Sequence, residues 1–124
     1  MSAAVEDGFA RRYPRAINAK WTKLEKGFQA SFLESGQKTT AVFSEWGKFS
    51  YAITELDAAQ IPAEVSAFIQ KEYPGHNLIQ ALSIRAGHQT VYQTTLQHGT
   101  NYVKIKSTGE DMEVSILQNR PIVQ

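Results

Sequence analysis

The segment Val5–Pro14, VEDGFARRYP, returns sixty residues later as Val65–Pro74, VSAFIQKEYP. In both copies an apolar residue recurs every fourth position and ends on Tyr-Pro: Val5, Phe9 and Tyr13, then Val65, Ile69 and Tyr73. That spacing places the three on one stripe of a helix. The helix must end near the tyrosine, because the residue before a proline is pushed out of the helical region. A repeat of this length decides architecture, since its recurring positions are core positions.

The likeness continues beyond each Tyr-Pro. After Pro14 come alternating runs: Ile17-x-Ala19-x-Trp21, Phe28-x-Ala30-x-Phe32, Ala41-x-Phe43 and Phe49-x-Tyr51-x-Ile53. Period two marks strands with one packed and one wet face. Between them stand turn-like breaks at Glu25–Gly27, Glu34–Gln37 and Glu45–Lys48. In the second half Asp57 and Gln60 form a capping-box pair, and Pro62 suits the first position of a helix carrying Val65, Phe68, Ile69 and Tyr73. Strands are expected at Leu78–Arg85, Val91–Leu96, Tyr102–Lys106 and Met112–Leu117, with turns at Ala86–Gln89, Gln97–Thr100 and Ser107–Glu110. Phe49, Tyr51 and Ile53 correspond to Met112, Val114 and Ile116 at one constant offset.

The expected fold is therefore α+β: two tandem α-β4 repeats, about 4–56 and 57–118, forming one curved eight-stranded antiparallel sheet with two helices on one face. The linker from Ile53 to Pro62 has no flexible spacer, and halves of about sixty residues would be marginal alone. A single domain over residues 1–124 is the reading.

The duplicated Tyr-Pro pairs, the helix–four-strand repeat and the phrase from Val42 to Gly47 resemble the PepSY-like family of small exported bacterial proteins, whose fold is similar to beta-lactamase inhibitor protein. The likeness runs over roughly residues 4–118, and Tyr73-Pro74-Gly75 matches the family phrase more fully than Tyr13-Pro14-Arg15. The resemblance implies a periplasmic or cell-surface protein with a non-enzymatic binding role. It supplies no catalytic residues. Residues 1–8 lack an apolar signal core, so export would need a signal preceding them.

Composition narrows the chemistry. Net charge is +1, cysteine is absent and no apolar stretch reaches membrane-spanning length. Charge is balanced in both halves, which argues against a nucleic-acid partner. Arg11, Arg12, Arg15, Lys20, Lys23 and Lys26 make one local excess, read as a helix C-terminus and a solvated strand edge, with an anion-binding patch as the alternative. No metal or cofactor is expected. His88 and His98 fall in turns at opposite ends of a strand, roughly 20 Å apart, so a metal site shared by His76, His88 and His98 is excluded and each is read as a polar turn residue. Ser35-x-x-Lys38 has the spacing of some serine acyl enzymes but falls in a glycine turn rather than on a helix. Glu110, Asp111 and Glu113 cluster in and after a turn, and Glu72 has no evident partner.

What remains is surface. If Phe28, Ala30 and Phe32 face the helices, the opposite face receives Gln29, Ser31, Leu33, Val42, Ser44, Ala52, Gln93, Tyr102, Lys104, Lys106, Glu113 and Ser115. Eight strands present roughly 750 Å² there, close to one partner's share of a standard protein–protein interface. Trp46, at a hairpin tip, either folds back onto the core edge, the commoner arrangement, or is held out as an anchor; Trp21 is expected in the core. The leading reading is a binding module recognising a protein or peptide across this open face and inhibiting by occlusion, as a monomer or weak homodimer without membrane insertion. Its expected contacts are Trp46, Tyr102, Lys104 and Glu113. A small-molecule or lipid carrier with a concave cleft is the alternative, and a hydrolase is the third. Where function is written at all, it is expected in the residues at which the two copies differ.

Overall fold

The first helix opens on a side-chain cap. Val5 N–H donates to Ser2 Oγ at 3.3 Å, satisfying a backbone donor that the helix cannot. A computed structural model describes residues 2–108 and 111–118, with the side chains of 117 and 118 excepted. Helix α1 (Ala3–Arg12) is followed by strands β1 (Ile17–Leu24), β2 (Gly27–Glu34), β3 (Gln37–Ser44) and β4 (Phe49–Glu55). A 3-10 turn (Ala58–Gln60) leads into α2 (Ala63–Glu72), then β5 (Asn77–Ala86), β6 (Gln89–His98), β7 (Asn101–Thr108) and β8 (Asp111–Gln118). The eight strands form one antiparallel sheet in the sequential order β1 to β8. The fold is α+β, as the repeat requires. Of the expected turn at Ser107–Glu110, residues 109 and 110 lie outside the described residues.

Both Tyr-Pro pairs stop their helices in the same way. Tyr13 (φ −126°, ψ 67°) and Tyr73 (φ −132°, ψ 54°) leave the helical region. Each tyrosine N–H still donates at 2.8 Å, to the carbonyls of Phe9 and Ile69. Three residues on, Ala16 N–H and His76 N–H donate to the Tyr13 and Tyr73 carbonyls at 3.2 and 3.3 Å. The capping pair also forms: Asp57 N–H donates to Gln60 Oε1 at 2.8 Å.

Contacts divide the chain into two compact units, one of residues up to Glu55 with Ile84–Gln89, the other of Leu56–Ser83 with the described residues from Thr90 onward. In the first, Val5 of α1 is buried with Ala30, Phe32, Ala41, Phe43 and Ala52. Phe9 is the hub of the aromatic packing, with ring centroids 5.0 Å from Phe32 and 5.1 Å from Trp21, both edge-on. Such edge-to-face pairs add about 1 kcal/mol each beyond area burial. Trp21 thus packs against the core, whereas Ile17, expected inside with it, is 59% exposed beyond a register shift between Ile17 and Lys20. In the second unit Val65 packs with Ile61 and Ala81, while Leu96, Val103 and Ile105 gather Phe68, Ile69, Tyr73 and Val114.

The strand faces need correction at β4 and β8. Phe43 pairs with Phe49, yet Val42 pairs with Tyr51 and Ala41 with Ala52, because the register shifts between Val42 and Phe43. A bulge inserts one extra residue and so reverses the alternation on one strand. Phe49 and Ala52 therefore both enter the core. Tyr51 and Ile53, expected inside, share the other face with Val42 and Thr40, and Ala52, expected on that open face, is buried. Ile116, assigned to the core by its match to Ile53, is 68% exposed on the last strand of the sheet.

Helix α1 meets the β3–β4 hairpin backbone to backbone. A Cβ on Gly8 would collide with the Gly47 carbonyl oxygen, and a Cβ on Gly47 with the Ala4 carbonyl oxygen. Gly47 also has φ +85°, a conformation that costs side chain-bearing residues about 1–2 kcal/mol. Alanine is favoured over glycine by about 1 kcal/mol in a helix interior. Gly8→Ala should nonetheless lower unfolding free energy by about 1–2 kcal/mol, since overpacking against backbone outweighs that gain. Urea denaturation measures this, and a stabilised variant would contradict the contact.

Tyr13 packs on Phe32 with centroids 4.7 Å apart. Burial pushes its phenol above the ordinary value of 10.0, opposed by a hydrogen bond and the positive charge of Arg12. The folded state thus favours the neutral phenol. That contribution is intact below pH 10 and lost as pH rises through the raised folded value. The native chain should lose stability more steeply above pH 10 than Tyr13→Phe, in denaturant midpoints measured across pH 8–11.

Candidate functional site

The β3–β4 turn is held from within by one serine. Ser44 Oγ accepts from Trp46 N–H at 3.2 Å and from Lys48 N–H at 3.1 Å. Ser44 N–H donates to the Lys48 carbonyl at 2.8 Å, and Gly47 N–H to the Ser44 carbonyl at 3.0 Å. Ser44, expected as an open-face residue, is thus committed to the turn. Helix α1 supports the turn from outside through Gly8 and Gly47. On this braced loop Trp46 is 81% exposed. Of its two expected arrangements the structure shows the held-out one.

Between α1 and this hairpin runs a groove of about 620 Å³, open to solvent along one side. Asp7, Arg11 and Arg12 line it from the helix, and Trp46, Lys48 and Phe49 from the hairpin. The Arg12 guanidinium carbon lies 3.4 Å from the centroid of the Phe49 ring. A guanidinium on an aromatic face is held by cation–π attraction and keeps its edge N–H donors available. Arg11 and Arg12 occupy the last turn of α1, while Lys20 and Lys23 lie on β1 at the end of the sheet. Charged residues on the groove wall make it unlike the deep apolar pocket that a lipid carrier requires.

Tyr102, Lys104 and Glu113 lie elsewhere, in the second unit. On β7, Tyr102 and Lys104 alternate with Val103 and Ile105, which are buried against α2's side of the sheet. Lys104 is opposite Ser115, and Lys106 is opposite Glu113. Gln93 is likewise opposite Lys106. These residues share the face turned away from the core, as expected. Trp46 belongs with the helix–hairpin groove of the first unit instead of with this row.

The histidines depart from expectation. His88 lies in the β5–β6 turn. His98, however, is the last residue of β6, and its ring stacks on His76 with centroids 4.9 Å apart and planes inclined by 29°. Tyr73 meets His76 edge-on at 5.2 Å. The second Tyr-Pro turn delivers His76 where the first delivers Ala16, and the direction of β6 brings His98 beneath it. Among the described residues neither His76 Nδ1 nor Thr94 Oγ1, both buried, has a hydrogen-bond partner. Neither stacked histidine is simply a polar turn residue. Among the described residues no three His, Cys, Asp or Glu side chains gather as a metal site would need.

Ser35 and Gly36 form the β2–β3 turn, with φ +52° and +80°. Lys38 follows on β3, so the Ser-x-x-Lys spacing has none of the helical geometry that acyl-enzyme chemistry uses. Glu110 lies outside the described residues. Among the described residues, no helix is long and apolar enough to cross a membrane.

Comparison with protein-family models and with curated protein sequences gives no match. Solved structures do match. A BLIP-like protein from Bacteroides fragilis NCTC 9343 superposes with a TM-score of 0.80 at 19% identity, covering 99% of this chain and 91% of that one. A candidate periplasmic protein from Bacteroides eggerthii DSM 20697 gives 0.79 at 15% identity, over 95% and 90%. A DUF2874 family protein from Bacteroides uniformis ATCC 8492 gives 0.77 at 19% identity, over 94% and 89%. At such identities the likeness is one of fold: this chain has a BLIP-like fold.

Proposed function

We propose that the chain, as a single domain, is an exported, non-enzymatic binding module of PepSY-like type that recognises a protein or peptide, as a monomer or weak homodimer. The observation that carries this reading is Trp46. A tryptophan 81% exposed on a turn braced by four hydrogen bonds around Ser44 loses little conformational freedom when a partner covers it. Tryptophans so placed carry a disproportionate share of binding energy. The row of Tyr102, Lys104 and Glu113 offers a second contact area of mixed polarity, in which an aromatic ring stands beside charges of both signs. Occlusion of the partner would then follow from coverage alone and need no reacting group.

Export to the periplasm or cell surface is supported by the family resemblance and by the Bacteroides eggerthii protein of similar fold.

Capture from a periplasmic extract of the source organism tests the reading. Native protein should retain a specific partner, and Trp46→Ala combined with Tyr102→Ala should reduce its recovery about tenfold or more. Circular dichroism would verify that the variant stays folded. Equal recovery by a folded variant would refute the assigned contacts.

A further inference from the structure

We propose that the groove between α1 and the β3–β4 hairpin is the docking site for an acidic peptide segment of a partner protein. This deepens the binding reading above and rests on it. Three cations, Arg11, Arg12 and Lys48, line the groove against one carboxylate, Asp7. Asp7, Arg11 and Lys48 form no ion pair among the described residues, so no described side chain takes up their charges by direct pairing. Arg12 is seated face-on against Phe49 at 3.4 Å. Its planar fork is preorganised there, and a carboxylate can take two of its N–H donors at once. Trp46 stands at the rim as a flat apolar surface beside these charges. Gly8 and Gly47 lie along the groove where the helix and hairpin backbones meet. Carboxylates alternating with an apolar or aromatic side chain match that lining. A polyanion such as nucleic acid does not, because Asp7 repels it and only three cations answer it.

The internal repeat supplies an independent argument. Positions that build the core persist in the second copy: Val5 as Val65, Phe9 as Ile69, Tyr13 as Tyr73, Phe49 as Met112. Most positions that build the groove do not. At the same offsets Gly8 becomes Phe68, Arg12 becomes Glu72, Trp46 becomes Gly109 and Lys48 becomes Asp111. A fold requirement common to both copies would not produce that division. Of the groove's cations only Arg11 keeps a basic counterpart, Lys71; Arg12, Lys48 and the Trp46 ring belong to the first copy alone.

The probes are an acidic pentapeptide, Asp-Glu-Phe-Asp-Glu with blocked termini, its Lys-Lys-Phe-Lys-Lys counterpart, and free glutamate. Each is titrated into the ¹⁵N-labelled protein while the Trp46 indole and Lys48 amide resonances are followed. The acidic peptide should shift both resonances, the basic one should not, and added salt should weaken the effect. Arg11→Glu with Lys48→Glu should weaken binding about tenfold, as should Trp46→Ala, with thermal unfolding unchanged by these exposed substitutions. No shift with the acidic peptide, or equal shifts in the charge-reversed protein, would overturn the proposal. If partner capture still depended on Trp46 in that case, the binding reading would stand and only the acidic-peptide assignment would fall. Free glutamate binding as tightly as the peptide would also overturn it, by showing a small-carboxylate site.

Discussion

The approach of two glycines, Gly8 on the first helix and Gly47 in the β3–β4 turn, is the constraint on which the first unit depends. Neither position can hold a Cβ without striking the other segment's backbone. Helix and hairpin therefore lie nearer than side-chain packing would allow. That closeness has a cost of about 1 kcal/mol for glycine within a helix. It is offset by the aromatic core that the approach lets close: Phe9 reaches Phe32, Phe43 and Trp21 from the same helix face.

The bulge between Val42 and Phe43 works with this contact. By reversing the alternation on β4 it brings both Phe49 and Ala52 to the core side. Phe49 then lies where Arg12 can stack on it. Ser44 closes the turn from within, Gly47 seats it from outside, and Trp46 has nowhere to go but outward. Exposure of a tryptophan is thus a consequence of how the hairpin is anchored. The second copy keeps the helix stop and the meander but not the glycine in its helix, where Phe68 joins the core instead. Its distinguishing feature is the stacked His76–His98 pair, at the turn where the first copy has alanine.

Local signals made the architecture legible. Tyr13 and Tyr73 end their helices because proline restricts the preceding residue, a rule that acts between neighbours. Alternation placed all eight strands, and the face bearing Tyr102, Lys104 and Glu113 came from counting by two along β7 and β8. What the sequence concealed depends on geometry that no neighbour encodes. Phe49-x-Tyr51-x-Ile53 alternates perfectly, yet the pairing with β3 passes over Ser50 within that run and turns Tyr51 and Ile53 outward. Gly8 reads as a weak helix residue until Gly47 is set against it. His76 and His98 are 22 positions apart, and their stacking depends on the turn after Tyr73 and the length of β6. The one clue was the mismatch between copies, His76 against Ala16 and Trp46 against Gly109, because a duplicated scaffold has no structural need to differ there.

A BLIP-like scaffold explains the sheet, and a hairpin braced by that scaffold presents the tryptophan. Everything proposed for binding requires that Trp46 stand in solvent on a rigid turn, free for a partner. Acrylamide quenching of Trp46 fluorescence in a Trp21→Phe background, where it is the sole tryptophan, measures this directly. Quenching near that of free tryptophan, together with fluorescence anisotropy showing an immobile side chain, is the predicted result. Strong protection from acrylamide in the folded protein would place the indole back on the core and contradict the exposed, braced arrangement.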